Sequence, residues 1–162
     1  MAEDVTPIPD GYHSVTPWVI GKDSAGLIEF LKAAFGAEEL GRVTDEQGNI
    51  GHAEVRIGDS VVMMFDKPDW PPTPAFLRLY VDDVHATFEQ ALAAGATVVT
   101  EPTHLFWGDL VGRLSDPFGN LWWVQTRIEV VDEAEMARRM SDEKFISALE
   151  YVQRSLFVPR AR

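Results

Sequence analysis

Asp23-Ser-Ala-Gly-Leu-Ile-Glu-Phe-Leu-Lys-Ala-Ala-Phe-Gly-Ala37 and Asp82-Asp-Val-His-Ala-Thr-Phe-Glu-Gln-Ala-Leu-Ala-Ala-Gly-Ala96 are the two stretches whose reading decides the fold. Each opens on an aspartate that can cap a helix and closes on Gly-Ala, the glycine following 13 residues later in both (36−23 and 95−82). Leu27, Ile28, Leu31, Ala34 and Phe35 fall on one helical face of the first, and Val84, Phe88, Ala91 and Leu92 on one face of the second. Before each helix lies a β-rich run, His13 to Ile20 and Phe76 to Val81. After each come three more candidate strands: Glu38 to Thr44, Gly51 to Ile57 and Ser60 to Phe65, then Thr97 to Thr100, Gly112 to Ser115 and Leu121 to Glu129. Residues 14–66 and 75–126 therefore say the same thing twice. The expected class is α+β, with two βαβββ modules forming an open, incompletely closed β-barrel around a cavity.

Organisation follows from punctuation. Pro7, Pro9 and Gly11 mark an extended lead-in, and Gly58-Asp59 a hairpin turn. Ser60 to Phe65 hardly alternates, which predicts burial on both faces. Module one spans 12–66, a proline-rich linker 66–74, and module two 75–128, all within one domain of 1–162. The linker, with four prolines, is a candidate hinge for exchange between chains. The stretch Pro102-Thr-His-Leu-Phe-Trp-Gly-Asp109 reads as a loop able to act as a lid. Asp132 with Glu135 opens a C-terminal helix over 132–157, whose stripe of Phe145, Leu149, Val152 and Leu156 fits either its own barrel or a partner chain.

Composition removes several functions. A net charge of −12 argues against nucleic acid and against anionic membranes as partners. Without cysteine there is no disulfide framework, thiolate metal site or catalytic thiol. Met1-Ala2-Glu3-Asp4 is not the start of a secretory signal, and no apolar run is long enough to span a bilayer, so a cytoplasmic location is expected. Phosphate-loop and nucleophile-elbow motifs are missing from the sequence.

Thr16-Pro-Trp-Val-Ile-Gly-Lys-Asp23, Ile28 to Ala37, Gly51-His-Ala-Glu-Val-Arg-Ile-Gly-Asp-Ser60, Leu79-Tyr-Val-Asp-Asp83, Phe106-Trp-Gly-Asp109 and Asp116-Pro-Phe-Gly-Asn120 together resemble the vicinal oxygen chelate superfamily of glyoxalases, bleomycin-resistance proteins and extradiol dioxygenases. The Phe-Trp-Gly-Asp and Asp-Pro-Phe-Gly stretches are most similar to its PhnB-like group. The resemblance implies a homodimer and a small organic ligand, and in metal-dependent members one ligand on each of four strands. Those positions fall on Thr16, Met63, Phe76 and Trp123, with 76−16 and 123−63 both equal to 60. None supplies the imidazole or carboxylate that such sites use, so neither metal nor other cofactor is expected.

Strand parity then sets the expected cavity. Thr16 and Trp18, Met63 and Phe65, Phe76, Arg78 and Tyr80, and Trp123 and Gln125 should face it, with Val15, Pro17 and Val19 packed beneath the helices. Five aromatics there either stack on a planar ligand or simply fill the barrel. Arg78 needs a partner, Glu54 internally or a ligand anion. His52 and Glu54 form an acid/base pair, an off-pattern metal site with His13, or a salt-bridged sheet face. Trp107 is a ligand contact if its loop is a lid, with Asp109 as anchor and Arg113 as that aspartate's partner. His85 should lie at the surface. The leading expectation is a metal-independent protein that binds or sequesters an aromatic or amphipathic small molecule. The rivals are a lyase, isomerase or dioxygenase with a displaced metal, and a protein whose cavity is filled by its own side chains.

Overall fold

The computed structural model describes residues 5–156. The Met1–Asp4 stretch and residue 157, the expected end of the tail helix, lie outside the described residues. The chain divides between Ala75 and Phe76 into two compact units.

In the first unit, β1 (Trp18–Gly21) is followed by α1 (Ser24–Phe35), β2 (Glu38–Thr44), β3 (Ile50–Ile57) and β4 (Ser60–Asp66). The sheet order is β1-β4-β3-β2, with β1 parallel to β4 and the rest antiparallel. Asp23 caps α1 by accepting from the Gly26 amide at 2.8 Å. Leu27, Ile28, Leu31 and Ala34 are buried against the face carrying Val19, Ala53, Val55, Val62 and Met64. Each large aliphatic side chain so buried contributes on the order of 2 kcal/mol. On the other face of β4 Val61 is buried, but Met63 and Phe65 are half-exposed, so the strand alternates from Val62 onward.

The second unit repeats the pattern: β5 (Phe76–Tyr80), α2 (Val84–Ala93), β6 (Thr97–His104), β7 (Asp109–Ser115) and β8 (Leu121–Arg127), in the order β5-β8-β7-β6. Trp18 pairs with Met63 in the first unit and Arg78 with Trp123 in the second, an offset of 60 at both positions (78−18, 123−63). The helix cap obeys the same offset. It is Asp83, not Asp82, whose carboxylate accepts from the His85 and Ala86 amides. Leu92, expected on the buried face, is exposed. Gly112 faces α2, and a Cβ there would lie 2.3 Å from Phe88 Cζ, so helix and sheet meet where a side chain is missing.

Four further differences from expectation have local causes. Residues 13–17 are not strand, because Pro17 has no N–H to donate and leaves only its carbonyl bonded, to the Met63 amide. Val15 is accordingly exposed. The 102–109 stretch is not a lid: β6 runs on to His104, with Pro102 at an irregularity in the edge strand where no ladder N–H is needed. Leu105 to Gly108 then form a tight turn, Gly108 at φ 96 with its carbonyl bonded to the Ile128 and Glu129 amides. Finally, the tail is two helices, α3 (Glu133–Met140) and α4 (Glu143–Ser155), because Asp142 supplies a second cap to the Lys144 amide.

The turns Asp45-Glu-Gln-Gly-Asn49 and Asp116-Pro-Phe-Gly-Asn120 use one chemistry in different hairpins. Each aspartate accepts from its asparagine's amide and side chain and from the residue two positions on. Asp116 also accepts from Trp122 Nε1 at 3.0 Å, which lets a fully buried indole keep its hydrogen bond.

Candidate functional site

The face of the first sheet turned away from α1 carries a row set by register: Trp18 on β1, Met63 on β4 and Glu54 on β3. Glu54 is the centre of its polar chemistry. Tyr12 Oη donates to Glu54 Oε2, and His52 Nε2 lies 2.9 Å from Glu54 Oε1. Tyr12, first, and His52 hold the Glu54 carboxyl below its usual range against the opposing effect of burial. The same bond pushes the Tyr12 phenol up. Trp18 stands edge-on to both His52 and Phe65, at 5.4 and 5.6 Å between ring centres, and Phe65 continues to Trp70 at 6.0 Å.

The lead-in turns back across this face. Between it and the sheet lies a cleft of about 520 Å³ lined by Pro7, Pro9, Tyr12, His13, Thr16, Glu54 and Met63, among others. That volume falls in the range of ordinary small-molecule sites. Thr16 and Met63 thus share one cleft with Glu54. His13 lines it too, yet among the described residues no three histidine, aspartate or glutamate side chains converge to hold a metal ion. The donors present here, a hydroxyl and a thioether at the positions the resemblance assigns to ligands, do not fit a catalytic divalent ion.

The corresponding row of the second sheet is Arg78 on β5, Trp123 on β8 and Arg113 on β7. Both guanidinium groups lie over the Trp123 ring, Arg78 at 4.4 Å and Arg113 at 4.2 Å from its centre. Phe76 is stacked on the same indole at 6.3 Å. The expected partnership of Arg113 with Asp109 is not made: Asp109 accepts from Trp107 Nε1 and Gln125 Nε2. Arg113 donates instead to the Val152 carbonyl and Thr100 Oγ1.

Those bonds reveal the main difference between the faces. Helix α4 packs on β6 across the second face. Val152 joins Leu105 and Val111 in a buried cluster, with Trp107, Trp123, Ala148 and Leu149 against it, and Thr100 meets Ser155 at 2.7 Å. Of the sequence-predicted contacts, Trp107 and Trp123 therefore sit against the protein's own helix and Gln125 is buried on Asp109, whereas Phe76 and Tyr80 remain exposed on the edge strand. His104 and Arg139 both bind Glu129 near the start of α3, and Arg139 first, then His104, holds that carboxyl down to about 2. His85 is exposed, as expected.

Tyr12 escaped the sequence reading, and Arg113 was expected beside Asp109 rather than over Trp123. Tyr12 lies in a proline-rich lead-in with no periodicity, 42 residues from its partner. The signal for Arg113 was the offset: Arg113 occupies, opposite Trp123, the place Glu54 occupies opposite Met63.

Residues 12–124 match the model of the glyoxalase/bleomycin resistance protein/dioxygenase superfamily. An uncharacterized protein of Mycobacterium bovis is 37% identical over 155 residues, covering 88% of this chain and 98% of its own. Among solved structures, TioX from Micromonospora sp. ML1 is similar at TM-score 0.58 and 25% identity, over 71% of this chain and all (100%) of its own. The PhnB protein from Bacillus cereus is similar in fold at TM-score 0.55 and 14% identity, over 70% of this chain and 99% of its own.

Proposed function

We propose, for a chain that belongs to the glyoxalase/bleomycin resistance protein/dioxygenase superfamily, that it binds or sequesters a small aromatic or amphipathic molecule without a metal. The observation that carries this reading is the make-up of the first unit's cleft. Thr16 and Met63 stand where metal-dependent relatives are expected to place ligands, and Pro7, Pro9, Tyr12 and Met63 offer apolar surface with one carboxylate handle. Trp18 and Phe65 extend that surface with half-exposed rings. The protein acts as a cytoplasmic homodimer in this reading.

One observation favours a second reading, an enzyme of lyase or isomerase type. Tyr12, Glu54 and His52 form a hydrogen-bonded chain in the cleft wall. An ionised Glu54 can orient the imidazole, and the free imidazole nitrogen can take or give a proton.

Native mass spectrometry of freshly purified, untagged protein separates the two, run before and after soaking in nickel, zinc, manganese and iron salts. A metal-free dimer, with an organic adduct that Trp18→Ala loses, is the expected outcome. One divalent ion per chain, lost in His52→Ala, would replace the first reading with the second.

A further inference from the structure

The row Arg78, Trp123, Arg113 is rich in donors and has no acid among its partners. No ion pair involves either arginine among the described residues, although the chain carries 26 acidic side chains against 14 lysines and arginines. Arg113 is only 3% exposed, and its Nε is a buried donor with no acceptor. Trp123 Nε1 is a second such donor in the same row. Buried donors are nearly always bonded, and a group of orphans marks the place of an acceptor. Burial, and then the charge of Arg78, pushes the Arg113 pKa down, so the folded chain holds two like charges about one indole at some cost. An anion relieves that cost, and an apolar ligand does not. Beside the stack, Phe76 and Tyr80 are exposed on the edge strand, 54% and 63% respectively, flanking Arg78 on the same face.

We infer that Arg78, stacked on Trp123 and backed by Arg113, binds the oxyanion of a small organic acid whose planar apolar body lies on Phe76 and Tyr80. The ligand class is an aromatic carboxylate or phosphate. The inference goes beyond the reading of the first unit's cleft, because it places an anionic ligand on the second unit's sheet. A guanidinium suits either head group, because its planar fork of N–H donors matches two oxygens at once.

Isothermal titration calorimetry of the full chain with 1-naphthoate, 1-naphthyl phosphate and the neutral 1-naphthamide tests it. At least one anion should bind about tenfold more tightly than the amide, and the better of the two identifies the head group. Arg78→Gln should abolish that preference, bringing the anion affinities down to that of 1-naphthamide. Arg78→Lys, which keeps the charge and loses the planar stack, should retain an intermediate, salt-sensitive preference. Equal affinities for all three probes, or a preference that survives in a folded Arg78→Gln protein, would overturn the anion site and leave small-molecule binding standing. Absence of binding by any of the three would likewise overturn the site, while the first unit's cleft is judged separately by the mass-spectrometric adduct that Trp18→Ala loses.

Discussion

The two sheets are one pattern with opposite outcomes. The row Trp18, Met63, Glu54 in the first unit corresponds to Arg78, Trp123, Arg113 in the second, at nearly constant offset. One row is built around a carboxylate and stays open to a cleft. The other carries two guanidinium groups, and α4 lies across its face. A repeated backbone therefore does not impose a repeated site. What distinguishes the faces is the chain outside the repeat: a proline-rich lead-in that leaves space over the first, and an amphipathic helix that fills space over the second. Arg113 also fits the end of that helix electrostatically, since its cation meets a carbonyl in the last turn of α4.

The sharpest way to break the contrast is to undock α4. Phe145→Ala with Val152→Ala strips from α4 the two apolar side chains it buries. The helix should leave the sheet, having lost the burial of Val152 and Phe145, about 4 kcal/mol together. Urea unfolding and hydrogen exchange measure this. Amides of 143–155 should exchange freely while those of β3 keep their protection, and uniform loss in both units would show that the two faces are not independent.

A smaller effect tests the helix side of the repeat. Ala53 in the first sheet holds the position that Gly112 holds in the second, where the missing side chain makes room for Phe88 of the helix. Gly112→Ala should cost about 2 kcal/mol from overpacking, and Phe88→Leu in the same chain should recover most of it. Thermal denaturation of the single and double variants gives the answer; a neutral Gly112→Ala would mean that the contact is loose.

The smallest expected effect separates the two units by acid. Glu129 and Glu135 are each held down to about 2, by Arg139 first and by Arg138 first respectively. Their folded values lie below the unfolded ones. Whatever they contribute is therefore present above about pH 4.5 and is lost as pH falls through about 2. Glu39 on β2 is also held down to about 2, by Arg42 first, so acid acts on both units, and α3, which buries no side chain of its own, should loosen before β1–β4 do. In Glu129→Gln the loosening of α3 should already be present at neutral pH, seen as faster exchange in 133–140. An α3 that holds equally well at pH 2 and pH 7 would show that these ion pairs anchor nothing.

Much of the fold was legible because it rests on local patterns. Helical periodicity, the Asp and Gly punctuation and the 60-residue offset place both βαβββ modules. The errors cluster where several local signals compete. Asp82 and Asp83 are both good caps, and only tertiary register selects the one that keeps the offset with Asp23. Phe-Trp-Gly-Asp looks like a loop because aromatic residues flank a glycine, yet hydrogen bonds to residues 128 and 129 make it a hairpin turn. Of the candidate site, Trp18, Phe65, Met63, His52 and Glu54 were placed on one face by parity, and the structure brings them together. Tyr12 was out of reach because nothing periodic links residue 12 to residue 54.

By itself the sequence determined the α+β class, the duplication, the lack of imidazole or carboxylate at Thr16, Met63, Phe76 and Trp123, and the net acidity. Those properties depend on residue identity and on spacing within one element or one repeat. Only the tertiary structure decided which face stays open, which aspartate caps α2, and which partners Glu54 and Arg113 take. Those choices are made by contacts between segments about 40 residues apart, Tyr12 with Glu54 and Arg113 with Val152. Such contacts form because each buried donor or carboxylate must be satisfied by whatever the fold brings within reach.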